Sequence, residues 1–98
     1  MGIDATIRGN QVVIQINEQF DRFSTRAFTE AYRGRQKGVA YVIDFKNVKA
    51  IDSTALGLLI KLREYAGDED ADISLININD NVMKMLRIAN FQTLFKIR

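Results

Sequence analysis

The sequence predicts an α/β domain: a mixed β-sheet of about five strands with helices packed against it, in the order ββαβαβα followed by a short terminal strand. Three observations carry this. Apolar residues alternate near the start, change to helical spacing from Phe20, and return to a nearly continuous apolar run at residues 39–45. Glycine, asparagine and aspartate stand at the breaks between these patterns. The alternation of strand with helix further on implies parallel strands joined by right-handed crossovers. The 98 residues suit one domain, 1–98, and a chain with 47% hydrophobic and 27% charged residues is globular in make-up.

The opening "ATIRGNQVVIQIN" reads as two strands joined at Gly9-Asn10, a dipeptide able to take the positive φ of a tight hairpin. Val12, Ile14 and Ile16 alternate with Val13, Gln15 and Asn17, so one face is buried. Phe23, Ala27, Phe28, Ala31 and Tyr32 then fall at helical spacing, with Ser24 placed to cap the first turn. Arg26, Glu30 and Arg33 lie opposite, where both Arg26/Glu30 and Glu30/Arg33 can pair, and Gly34 and Gly38 bracket the helix end. "VAYVIDF" has the pattern of a central strand covered on both faces. A helix follows from about Ser53 to Ala66, closed by Gly67 and the acidic loop "DEDAD". "ISLININ", Ile73 to Asn79, is a strand. Asp80 caps a short helix carrying Val82, Met83, Met85, Leu86 and Ala89, with Asn90 as its left-handed cap. "LFKI" closes the chain as a last strand.

Several function classes fall away. Fourteen basic against twelve acidic residues give a net charge of +2, without the clustered cations and stacking aromatics of a nucleic-acid binder. Arg33, Arg35 and Lys37 sit at a helix end, where the dipole alone favours cations. The chain has no Cys and no His, which removes thiolate ligands, cysteine nucleophiles and the commonest general base. "GRQKG" lacks the spacing of a phosphate loop, and no second carboxylate is placed to work with Asp44, which reads as an acid shaping the loop after its strand. We therefore expect no enzyme, no cofactor and no metal site. Apolar runs of only a few residues and no signal pattern suggest a cytoplasmic protein without membrane insertion.

The informative stretch is "KAIDSTALGLLIKLREYAG", residues 49–67. Ala55, Leu58, Leu59, Leu62 and Ala66 form one helical face, widened by Leu56 and Ile60. Thr54, Gly57, Lys61, Glu64 and Asp68 form the other. Glycine inside a helix costs up to about 1 kcal/mol against alanine. Gly57 stands on the polar stripe, where close approach of a partner gives a reason to keep it. Ser53 occupies the place of a helix cap. A phosphate there would meet unpaired N–H groups and the positive end of the dipole. The residues permit a phosphate switch without requiring one.

"VIDFKNVKAIDSTALGLLIKL" resembles the signature segment of the STAS domain, as found in bacterial anti-sigma factor antagonists (anti-anti-sigma factors). An apolar strand ends in Asp44, and Asp52-Ser53-Thr54-Ala55-Leu56-Gly57 opens a helix. "INEQFD" and "ANFQTLFKI" match weaker flanking segments. The chain departs from the pattern in three places: Ala55 stands for the commoner glycine, residues 17–19 lack the usual glycine, and Asn90 replaces another. The resemblance implies a STAS-like fold and a phosphoprotein in a partner-switching system of signal transduction and transcription regulation. Ser53 would be phosphorylated by an anti-sigma factor with serine kinase activity and restored by a PP2C-type phosphatase. Asp52 would help fix the loop and, with Thr54, Ala55, Gly57 and Lys61, would join Ser53 in the docking surface. The alternative is a STAS adaptor that is not switched, for example a subunit of a lipid-transport ABC complex, which needs no hydroxyl at position 53.

Overall fold

A computed structural model describes residues 2–98. The elements are β1 (Ile3–Arg8), β2 (Gln11–Ile16), α1 (Thr25–Tyr32), β3 (Ala40–Asp44), α2 (Ser53–Ala66), β4 (Ile73–Ile76), α3 (Asp80–Ile88) and β5 (Lys96–Ile97). They build one five-stranded sheet in sequential order β1-β2-β3-β4-β5. The first pair is antiparallel and the other three are parallel. Gly9 supplies the positive φ of the β1–β2 turn, at 60°. From β2 onward the order moves one way across the sheet, so right-handed crossovers place all three helices on one face.

Burial agrees with that layout. Val12, Tyr41 and Ile73 lie side by side in the register, as do Ile14, Ile43 and Leu75, and all six are buried in one core. The helices add Phe28, Leu58, Leu59, Leu62, Val82 and Leu86. On the other face Val13 and Val42 are only half-buried, and just Ser74 is fully covered. The expectation that the 39–45 strand is covered on both faces is therefore corrected. An all-apolar strand can also arise where the second face is shielded only by its own neighbours.

The segment before α1 differs from its sequence reading. Asp21 caps a 3-10 turn, Arg22–Ser24, by accepting from the Phe23 N–H at 2.9 Å. Ser24 is buried, accepts from the Asp21 N–H at 3.2 Å and donates to the Gln19 carbonyl at 3.0 Å. It makes no side-chain cap to α1. The extra turn rotates Phe23 out of the helical stripe, leaving it 77% exposed, and Ala27 is exposed too. Phe20 takes the core position instead, packed against Phe28 and Phe45 with ring centroids 5.0 and 5.9 Å away. Arg26 pairs with Glu30 at 3.1 Å, whereas Arg33 has already turned to extended backbone and leaves the helix.

Two further boundaries move. β4 stops at Ile76 because Asn77 adopts a left-handed φ of 58°, so the alternation in "ISLININ" runs on past the strand. Asn79 rather than Asp80 caps α3, its side chain accepting from the Val82 N–H at 2.8 Å. Asn90 takes the expected left-handed conformation after α3, and Met83 and Met85 are half-buried. Below the 33–38 loop, the Tyr65 hydroxyl accepts from the Gly34 N–H at 2.9 Å and donates to the Arg35 carbonyl at 3.2 Å. Tyr41 is buried with its hydroxyl unpaired among the described residues.

Candidate functional site

The N-terminus of α2 is positioned by the loop that follows β3. Asp44 ends the strand and its Oδ1 accepts from the Lys46 N–H and from the Asn77 side chain, both at 2.9 Å. Val48 is buried and pins the loop to the core. The Asn79 amide donates to the carbonyls of Val48 and Lys49, at 3.0 and 3.1 Å. Asn47 donates to Asn17 at 3.0 Å, and Ile51 forms an isolated parallel bridge with Phe20. Asparagines from two neighbouring loops thus clamp the backbone that delivers Ser53. Sequence reasoning missed them. Their signal was present in the Asn-x-Asn spacing of "ININD", since asparagine both tolerates left-handed backbone and bonds nearby main chain.

Asp52, not Ser53, is the helix cap. Its backbone is extended and its Oδ1 accepts from the Ala55 N–H at 3.0 Å. Ser53 is the first helical residue and is exposed. The capping expectation for Ser53 is corrected, because the bridge at Ile51 keeps the chain extended through Asp52 and helical angles begin one residue later. The consequence is chemical: Ser53 Oγ is released from a structural task and presented at the positive end of the helix.

Of the other predicted site residues, Gly57 and Lys61 are exposed and Thr54 is half-buried. A Cβ built on Gly57 would meet nothing within 4 Å, so the fold itself does not demand glycine there. Ala55 is wholly buried, which removes its side chain from any docking surface. It faces the core because residue 55 shares the helical stripe of Leu58, Leu59 and Leu62. The 3-10 turn packs against α2, and the exposed Phe23 ring on that turn is covered by the Arg22 guanidinium 4.7 Å from the centroid. Lys46 and Lys49 are exposed on the preceding loop.

The chain carries three serines, and their burial separates them. Ser24 and Ser74 are 0% and 5% exposed, so Ser53 is the one accessible serine. A cleft of about 280 Å³ lies at the opposite end of the parallel strands, between the β1–β2 turn and residues 34–36. It includes none of the site residues. No described helix is long and apolar enough to cross a membrane.

Comparison with known proteins places this geometry. A family model described as "Mlab, STAS domain" matches residues 3–96. A STAS-domain containing protein of Pseudomonas aeruginosa is 44% identical over 90 residues, covering 91% of this chain and 89% of the relative. In structure the chain is similar to a Thermotoga maritima protein proposed to be an anti-sigma factor antagonist, with a TM-score of 0.84 at 19% identity, covering 97% of this chain and 84% of that one. It is also similar to the anti-sigma factor antagonist SpoIIAA in its unphosphorylated form, with a TM-score of 0.76 at 15% identity, covering 98% and 87%. At such identities the structural likenesses speak for the fold.

Proposed function

We propose that this chain, which belongs to the STAS domain family, is an anti-sigma factor antagonist controlled by phosphorylation of Ser53. In this reading the unphosphorylated protein binds and sequesters an anti-sigma factor that is also a serine kinase. The sigma factor is thereby freed and transcription regulated. Phosphorylation of Ser53 by that kinase ends the complex, and a PP2C-type phosphatase restores it. The protein acts by binding and performs no chemistry of its own.

The observation that carries the reading is the exposure of Ser53, the one accessible serine, as the first residue of α2. Asp52 performs the cap, so modification of Ser53 does not break the helix start. Gly57 leaves open space one turn along, and Phe23, on the 3-10 turn that packs against α2, offers an exposed aromatic anchor. A phosphate of about −1.5 to −2 charges gains from the helix dipole and loses to the Asp52 carboxylate at the same end. The dipole contributes about 1 kcal/mol or less, and because Asp52 and Ser53 are both exposed the repulsion is screened by water and salt, so the fold tolerates the switch. In the complex, burying the dianion against a surface fitted to a hydroxyl is far more costly.

Incubation with the cognate kinase and ATP, followed by mass spectrometry, tests the assignment. The phosphate is expected on Ser53 and absent from Ser53→Ala. Phosphate retained in Ser53→Ala would refute it. A protein that is never phosphorylated yet binds a transporter ATPase through the α2 face would support the unswitched adaptor instead.

A further inference from the structure

We propose that the protein forms a two-fold dimer by antiparallel pairing of β1 with β1 of a second copy. The two edges of the sheet are unlike. β5 has two residues, a length that offers little to another strand. β1 has six, paired with β2 in an unbroken register from Ile3 to Arg8. Neither a bulge nor a proline deters pairing along it, and its two charges, Asp4 and Arg8, are of opposite sign. Asp4 to Arg8 are all exposed, and Ile7 is an exposed apolar side chain at 61%.

The order of residues on β1 selects the partner. The two-residue turn at Gly9-Asn10 makes Arg8 and Gln11 a hydrogen-bonded pair. Arg8, Thr6 and Asp4 therefore spend their backbone groups on β2, while Ile7, Ala5 and Ile3 aim theirs outward. An antiparallel ladder between identical strands must match outward residues with outward residues, which centres the two-fold on a residue rather than between two. Centred on Thr6, Ala5 faces Ile7 of the second copy and Asp4 faces its Arg8, twice over by symmetry. Centred on Ala5, Asp4 faces Thr6 and Arg8 faces Gly2, so neither charge finds its complement. Asp4 already accepts from Asn17 through Oδ2, at 2.8 Å, which leaves Oδ1 for the arginine. Arg8 makes no ion pair among the described residues.

Such a dimer is a continuous ten-stranded sheet with both helix layers on one side. α2 crosses from β3 to β4, two strands or about 10 Å in from the β1 edge. Both Ser53 sites thus stay uncovered, and the dimer offers a partner two docking faces. The dimer proposal stands on the edge alone and does not rest on phosphorylation.

The absence of cysteine makes the test direct. Sedimentation of the native protein from about 5 to 500 µM should show a monomer–dimer equilibrium, since strand pairing alone buries less than a standard interface. Thr6→Cys, a single thiol meeting its own copy across the two-fold, should form disulfide dimers under mild oxidation. Exposed Asn81→Cys should not. Arg8→Asp should weaken association about tenfold or more, and Asp4→Arg with Arg8→Asp should restore it, since the pair is only exchanged. Circular dichroism on each variant separates lost pairing from lost folding. A native protein that stays monomeric throughout overturns the proposal. So does cross-linking of Thr6→Cys no faster than Asn81→Cys, or cross-linking through Ala5→Cys in its place.

Discussion

The two adjacent side chains Asp52 and Ser53 divide the work at the start of α2, one holding the helix and the other facing solvent. Asp52→Ala is therefore predicted to lower stability by about 1 kcal/mol in urea unfolding, while Ser53→Ala stays within about 0.5 kcal/mol. The reverse order would return the cap to Ser53. Aspartate and serine rank almost equally as caps, so composition could not choose between them. The decision comes from the bridge at Ile51, a contact between distant segments. The tyrosines make a second residue-scale prediction. Burial pushes the Tyr32 and Tyr41 hydroxyls above their ordinary 10.0. Above about pH 10 the unfolded chain then releases protons that the native state retains. The stabilisation from keeping them neutral is complete below that pH and is lost as pH rises through the folded values, so urea midpoints should fall on the alkaline side. Tyr41→Phe removes an unpaired buried hydroxyl and should leave stability unchanged or raise it by up to about 1 kcal/mol. Tyr65→Phe breaks two hydrogen bonds to the 34–35 loop and should lower it by about 1 kcal/mol.

Among the elements, α2 was the most legible in the sequence, with its span of Ser53–Ala66 and its buried stripe both readable from spacing. Gly67 ends it as expected, at a φ of 116°. Elements that failed did so where hydrogen bonds overrode periodicity. Phe23 fits the helical stripe of α1, but the capping box of Asp21 and Ser24 inserts a 3-10 turn and swings the ring outward. Asn77 stops β4 by its backbone angle while the apolar alternation continues through Ile78. Neither event has a period to detect. The interior of α2 carries the sharpest element-scale prediction. Because Gly57 has open space around it, Gly57→Ala should stabilise the fold by about 0.5–1 kcal/mol. Gly57→Arg should fold normally by circular dichroism yet abolish binding of the anti-sigma partner. Tight binding by the arginine variant would move the docking face elsewhere.

For the molecule as a whole, the sheet order puts the helices on one face and the loops after β2, β3 and β4 at one end. Those loops supply Asn17, Asn47, Asn77 and Asn79, which together with Asp44 at the end of β3 hold the start of α2 in place. The candidate site is thus a property of the assembled sheet end, although the proposed switch acts on one hydroxyl. The strand-and-helix order revealed the architecture, whereas the clamp became visible only once three loops were brought together. Phosphate on Ser53 is proposed to disfavour the complex rather than the fold. The most direct test is calorimetric binding of the anti-sigma factor kinase to Ser53→Ala and Ser53→Asp, with circular dichroism confirming that both are folded. Ser53→Ala is expected to bind like the parent and Ser53→Asp to bind more weakly by about 2–5 kcal/mol. Tighter binding by Ser53→Asp than by Ser53→Ala would contradict this and make the phosphorylated form the one that binds.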